Sequence, residues 1–287
     1  MDMDIDINKI LRVSTHAGKI ILESGGEIYR VEETIIRICK SFDIEFAESY
    51  VTPTGIMVSV YDKNKDAKTL ITRIKARTNN LQRIHLVNDL SRSVCCHKYT
   101  LDEVEEKLKE IDNSPVYSDK AVIFFSGLAA SSLTVLFGGS LKDCIASFII
   151  GILIRLFIIT GERLLLNGFF INAIGGALAA SMAILFHKLG FGVNINHVII
   201  GSIMLLVPGL IITNAIRDTI AGDLVSGLTR AAEATFIAIS IAVGTGAVMS
   251  IWVNYIGGTL WYGTNTYRIF CFFYSSFCLC LYIQYKR

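Results

Sequence analysis

Charge is spread along this chain too unevenly for it to fold as one soluble globule. Residues 1–120 hold 18 Lys/Arg and 20 Asp/Glu, whereas residues 121–287 hold 9 and 5. A soluble domain carries charge on about a quarter of its residues, and the second stretch falls far below that. It consists instead of apolar runs near 121–137, 145–160, 168–187, 196–213 and 231–255, the second of them interrupted by Arg155. Such lengths bracket the ~20 residues an α-helix needs to cross ~30 Å of hydrocarbon. The connectors GGSLKDC and GERLLLN are too short to fold alone. The predicted fold class is a soluble α+β N-terminal domain, helices flanking a small sheet, over residues 1–117. A multi-span α-helical membrane domain of about five transmembrane helices follows over 118–256, and an aromatic- and Cys-rich tail over 257–287. That tail contains a marginal sixth span from Ile269 to Tyr285.

Where the few charges of the second stretch fall is informative. Val207 to Ala234, VPGLIITNAIRDTIAGDLVSGLTRAAEA, runs out of one apolar run and into the next, with Asn214, Arg217, Asp218, Asp223, Arg230 and Glu233 between them. Pro208-Gly209 precedes them. Proline removes a backbone donor and frees a carbonyl one turn back, and freed polar groups are tolerable in a bilayer only where protein or water satisfies them. Ionisable groups beside such a break mark transport pathways. Asn214, Arg217 and Asp218 lie at i, i+3 and i+4, on one helical face. Arg217 can hold a carboxylate bidentately, and Asp218, Asp223 or Glu233 can carry a proton if burial raises its pKa. The simpler roles are an Arg217–Asp218 pair and a helix cap at Asp223. Arg155 and Glu162, flanking the second connector, form a weaker candidate site.

The first 117 residues read as two helices, strands, then two helices. Ile10, Leu11, Ser14, Ala17, Gly18, Ile21 and Leu22 recur at helical spacing. Ser24 with Glu27 three residues on predicts a capping box opening the second helix, along which Glu27 and Arg30, then Glu33 and Arg37, are spaced to pair. IEFAESYVT, GIMVSVYD and KTLITRIKART read as strands, the first two joined by a turn at Pro53-Thr54-Gly55. Asp62, Asn64 and Asp66 begin like a calcium loop but lack its glycine and terminal glutamate. Helices return over 80–111, with His85 read as a packed or surface residue and Thr100/Glu103 as a capping box. Asn113-Ser114-Pro115 is the linker.

Composition excludes several classes. A net charge of +2 without a basic, aromatic-interleaved run argues against nucleic acid as a partner. The seven cysteines include no CxxC pair and none has a histidine at metal-ligand spacing, so they read as free thiols and neither metal nor cofactor is expected. The acidic start MDMDIDINKI lacks the pattern of a cleaved signal. Together with Arg163, Arg217 and Arg230 in inward connectors against Lys142 and Lys188 outward, it predicts a multi-pass protein of the cell membrane with its N-terminal domain cytoplasmic. That topology puts the Asn214–Arg230 segment at the cytoplasmic mouth.

Two stretches carry a family resemblance. HAGKIILESGGEIYRVEETI, with the later TPTG, and VPGLIITNAIRDTIAGDLVSGLTRAAEA resemble the threonine/serine exporter family over most of residues 10–255. The motif residues of the first domain are Gly25, Gly26, Glu27, Arg30, Glu32, Pro53, Thr54 and Gly55. The resemblance implies a cytoplasmic domain followed by spans that export small hydrophilic metabolites: threonine or serine, or a dicarboxylate such as succinate. It also implies a pathway completed by a second membrane half; the length here resembles the larger subunit of a split pair, so a second membrane subunit or a homo-oligomer is the expected partner besides the bilayer. Coupling to the proton gradient is expected. A competing reading makes the first domain a membrane-tethered hydrolase or ligand sensor with the spans as anchor, although no G-x-S-x-G elbow is present. A third is a purely structural assembly subunit.

Overall fold

The computed structural model describes residues 6–61, 67–96, 99–114 and 117–256, with side chains to 254. The Asp62–Asp66 loop, Pro115 and the 257–287 tail with its expected sixth span lie outside the described residues. The chain is mostly helical and forms two compact units. One comprises the described residues before Tyr117 together with Gly209–Ala234; the other comprises Tyr117–Pro208 with the chain from Thr235 onward. This is not the single cut near residue 117 that composition suggested, because the polar stretch after Pro208 packs with the N-terminal elements.

In the first unit, α1 (Ile7–Glu23) is the central element. Its Ile10, Ala17, Ile21 and Leu22 are fully buried, and Gly18 lets it approach Ile35 of α2 (Ile28–Ser41). The sheet is an antiparallel meander of β1 (Ala47–Thr52), β2 (Gly55–Tyr61) and β3 (Ala67–Arg73). Alternation decides which face is covered: Ile56, Val58 and Val60 of β2 are buried against the core, while Met57 and Tyr61 face out. Burying each such aliphatic side chain stabilises by roughly 1.5–3 kcal/mol. Pro53 and Thr54 form the two-residue turn between Thr52 and Gly55, as expected. α3 (Leu81–Cys95) and α4 (Leu101–Asp112) complete the N-terminal part, and the Thr100/Glu103 capping box is made. The four described cysteines are free.

The second unit holds α5 (Asp119–Leu136), α6 (Leu141–Arg163), α7 (Gly168–Lys188), α8 (Ile195–Ile203) and the chain from Thr235 in α10 (Leu224–Ile256). Without water to drive helices together, close packing between small residues holds them. Gly175, Gly176, Ala179 and Ala180 of α7 are all buried. A side chain at Gly176 would stand 2.7 Å from the Ile241 carbonyl oxygen, and one at Gly151 2.8 Å from Ala130.

Among the described residues four helices are long and apolar enough to span a bilayer: Asp119–Leu136, Leu141–Arg163, Gly168–Lys188 and Leu224–Asn254. The expected span over 196–213 is not one helix. It divides into α8, nine residues long, and α9 (Gly209–Ala221). The reason is Pro208, which has no N–H to donate and disfavours helical backbone at Val207. The last span also begins earlier than residue 231, so Arg230 and Glu233 lie within its first turns.

Candidate functional site

The site grows from the turn Ser24-Gly25-Gly26-Glu27. At the end of α1, the N–H groups of Gly25 and Gly26 return to the carbonyls of Leu22 and Ile21 at 3.2 and 2.9 Å. Gly25 adopts φ +87°, which closes the helix as only glycine does freely. A Cβ on Gly26 would collide with Ile21 Cγ2. The predicted Ser24/Glu27 capping box is therefore corrected: Ser24 ends α1, and Glu27, the N-cap of α2, makes no side-chain cap. Its carboxylate is engaged elsewhere.

That engagement joins a neighbour, Arg30, to a residue 190 positions away in sequence, Arg217. Glu27 Oε2 accepts from Arg30 Nε at 2.7 Å, and Glu27 Oε1 accepts from Arg217 Nη1. Asn214 Nδ2 donates to the Gly25 carbonyl at 2.9 Å and Arg230 Nη2 to the Gly26 carbonyl at 2.8 Å. The first free N–H of α2, on Ile28, donates to Asp218 Oδ1 at 3.2 Å. A carboxylate at a helix N-terminus is favoured by the orphan donors and the dipole together. Here that carboxylate comes from α9 rather than from the helix's own cap. Arg77 Nη2 donates to Glu233 Oε2 at 2.6 Å. Turn, α9 and the start of α10 thus form one polar latch inside the first unit.

Its centre is the ion pair between Arg230 and Asp218, Nε to Oδ2 3.0 Å, with side chains 3% and 0% exposed. Although the two atoms are close, neither has a hydrogen-bond partner in good alignment. Charge, not a well-made hydrogen bond, holds them. Burial pushes the Asp218 carboxyl up, against the pull of Arg230 and the Ile28 N–H. Burial acts on Glu27 too, but its own backbone N–H, Arg30 and Arg217 outweigh it and hold that carboxyl below the ordinary range. Glu32, which accepts the Val51 N–H of edge strand β1 at 3.0 Å, is pushed up by burial and further by Asp223.

Of the residues singled out from sequence, Asn214, Arg217 and Asp218 do share a face, and that face meets Gly25, Glu27 and Ile28. Arg217 and Asp218 do not pair with each other; each finds its partner elsewhere. Asp223 precedes α10 and its carbonyl accepts from Gly227 N–H at 2.9 Å. Glu32 and Pro53-Thr54-Gly55 set the hairpin rather than the latch. Arg155 and Glu162 belong to the second unit; the Arg155 Nε is buried without a hydrogen-bond partner and Glu162 is exposed. Among the described residues the two make no ion pair with each other. Arg77 was not foreseen, and nothing in its surroundings in sequence marks it. Arg230 stands among the polar residues of the stretch, and sequence places it in a connector, one residue before the expected span at 231–255; the structure puts it inside α10.

The sequence model of the ThrE family, the threonine/serine exporters, matches residues 12–252. A probable threonine/serine exporter of Mycobacterium tuberculosis is 22% identical over 248 residues, 84% of this chain and 46% of that protein. The threonine/serine exporter of Corynebacterium glutamicum is 22% identical over 247 residues, 83% of this chain and 50% of that protein. A probable succinate transporter subunit, YjjP of Escherichia coli, is 22% identical over 255 residues, 85% of this chain and 94% of that subunit. The chain thus spans half the length or less of the exporters and nearly all of the transporter subunit. No solved structure matches it.

Proposed function

Because the chain belongs to the threonine/serine exporter family, we propose that it is one subunit of a cell-membrane exporter. It moves small carboxylate-bearing metabolites, threonine and serine or a dicarboxylate such as succinate, out of the cell. The first unit lies at the cytoplasmic face, the proton gradient drives export, and a second membrane subunit completes the pathway. Coverage supports the pairing: the chain matches nearly all of a relative named as a subunit, and half of relatives named as exporters.

The observation that carries the reading is the discontinuous segment α8–Pro208–α9 leading into the buried Asp218–Arg230 pair. A helix of nine residues covers roughly 14 Å, under half of the ~30 Å core. Irregular backbone within a bilayer is tolerated where it lines a cavity, the usual place of a transporter's binding site. Residues before Tyr117 and Gly209–Ala234 form one unit, which supports a single location for both, proposed here as the cytoplasmic face.

Mechanistically, Asp218 is the proton carrier. Protonated, it loses its attraction for Arg230, and the freed guanidinium joins Arg217 in holding a substrate carboxylate. Deprotonated, it recaptures Arg230 and resets the latch. Replacing Arg217 by Lys removes the bidentate fork, and replacing Asp218 by Asn removes the titrating group. Both substitutions are expected to reduce efflux from cells reliant on this exporter when compared at matched protein level in the membrane. Normal efflux from either variant would overturn the assignment.

A further inference from the structure

Beside the latch, and wholly within the first unit, lies a cleft of about 410 Å3 lined by the start of α2, one face of α3 and α9. The volume falls in the range of small-molecule sites. Its polar groups include Glu27, Arg30, Arg217, His85, Asp89 and Arg92. On α3, His85, Asp89 and Arg92 stand at i, i+4 and i+7, so they form one stripe roughly 10 Å long.

The charges in the cleft are not balanced. Among the described residues Glu27 is the one carboxylate paired with two guanidiniums, Arg30 and Arg217, leaving one positive charge over. Arg92 and Asp89 are exposed and, among the described residues, neither has an ion-pair or side-chain hydrogen-bond partner. Arg217 uses only Nη1 on Glu27 and its side chain is 48% exposed, so its remaining donors are open to solvent. Such a fork matches a carboxylate bidentately.

We propose that this cleft is a binding site for a small carboxylate, held by Arg217 and Arg92, whose occupation competes with Glu27 for Arg217 and so loosens the latch. Glu27 is then an internal competitor that sets the affinity. Asp89 provides the means of telling ligand classes apart. It attracts the ammonium of an α-amino acid and repels the second carboxylate of a dicarboxylic acid. The choice of probes rests on the export reading; the site itself does not.

The test is calorimetric titration of the full-length protein in lipid nanodiscs with succinate and with L-threonine, at constant ionic strength. At least one is expected to bind, with Arg92→Ala and Arg217→Ala each weakening it about tenfold, the loss of one charge-assisted pair. Glu27→Gln is expected to tighten binding severalfold, because the competitor is gone. Asp89→Asn weakens threonine or strengthens succinate, according to which one binds. Arg92 takes no part in the latch, so Arg92→Ala keeps the test sound should Arg217→Ala fail to fold. Binding of neither probe, affinity unchanged in Arg92→Ala, or weaker binding in Glu27→Gln overturns the proposal. Efflux without binding in the cleft leaves the export reading standing and removes this one; binding without efflux does the reverse.

Discussion

The latch makes its strongest prediction at Asp218. Asn at this position keeps an oxygen for the Ile28 N–H but removes the charge opposite Arg230, whose side chain is 3% exposed and whose other contact is the Gly26 carbonyl. Leaving one partner of a buried ion pair uncompensated costs about 3–5 kcal/mol, and the retained acceptor offsets about 1 kcal/mol. A net loss of about 2–4 kcal/mol is expected, which for a unit of this size lowers the melting temperature by roughly 6–12 °C. Arg230→Gln is expected to cost a similar amount, since it strands Asp218. The double variant has no charge to strand, so it should be more stable than the sum of the singles by about 2 kcal/mol or more. The assay is thermal unfolding in detergent at neutral pH, followed by intrinsic fluorescence, with limited proteolysis as a second probe. Additive singles, or an Asp218→Asn variant melting within a degree of the wild type, would refute the electrostatic reading of the latch.

Three other outcomes follow from single positions. Gly26→Ala drives a methyl into Ile21 and is expected to cost about 1–3 kcal/mol, read as a lower melting temperature. In the second unit, Gly176→Leu places its side chain against the Ile241 carbonyl oxygen, 2.7 Å from the first added carbon, and should abolish accumulation of folded protein in the membrane. Glu32→Gln keeps the acceptor for Val51 but removes a charge that burial disfavours, so the folded-state pKa of Glu32 lies above its unfolded value. The penalty is then present above the raised pKa and relieved as pH falls through it, so the unfolded state gains on the folded one as pH rises. Glu32→Gln should therefore melt above the wild type at pH 7.5, and the gap should close on moving to pH 5.

The elements of both units were largely visible in the sequence because their signals are local. The alternation in Gly55–Tyr61, the Thr100/Glu103 box and the apolar runs each depend on residues within a few positions of one another. Pro208 was recognised as a break, yet its consequence was misjudged: it separates two helices rather than loosening one span. The latch was legible only as two separate stretches. Ser24 and Glu27 match a capping box, a pattern that asks nothing of distant residues, whereas Glu27 answers to Arg217 and the N-terminus of α2 to Asp218. Spacing on one helix cannot report a partner 190 positions away. For the same reason Arg77 and the α3 stripe of His85, Asp89 and Arg92 carried no signal of their own.

Proton coupling through Asp218 is most directly tested by transport in proteoliposomes holding this chain and its second subunit. Labelled succinate, threonine and serine are offered under an imposed pH gradient, and separately under substrate exchange at equal pH. The wild type is expected to accumulate at least one of them against its concentration gradient. Asp218→Asn should retain exchange of that substrate but lose gradient-driven accumulation, since it holds the carboxylate site without the titrating group. Accumulation by Asp218→Asn at the wild-type level, or no movement of any of the three by the wild-type pair, would contradict the account.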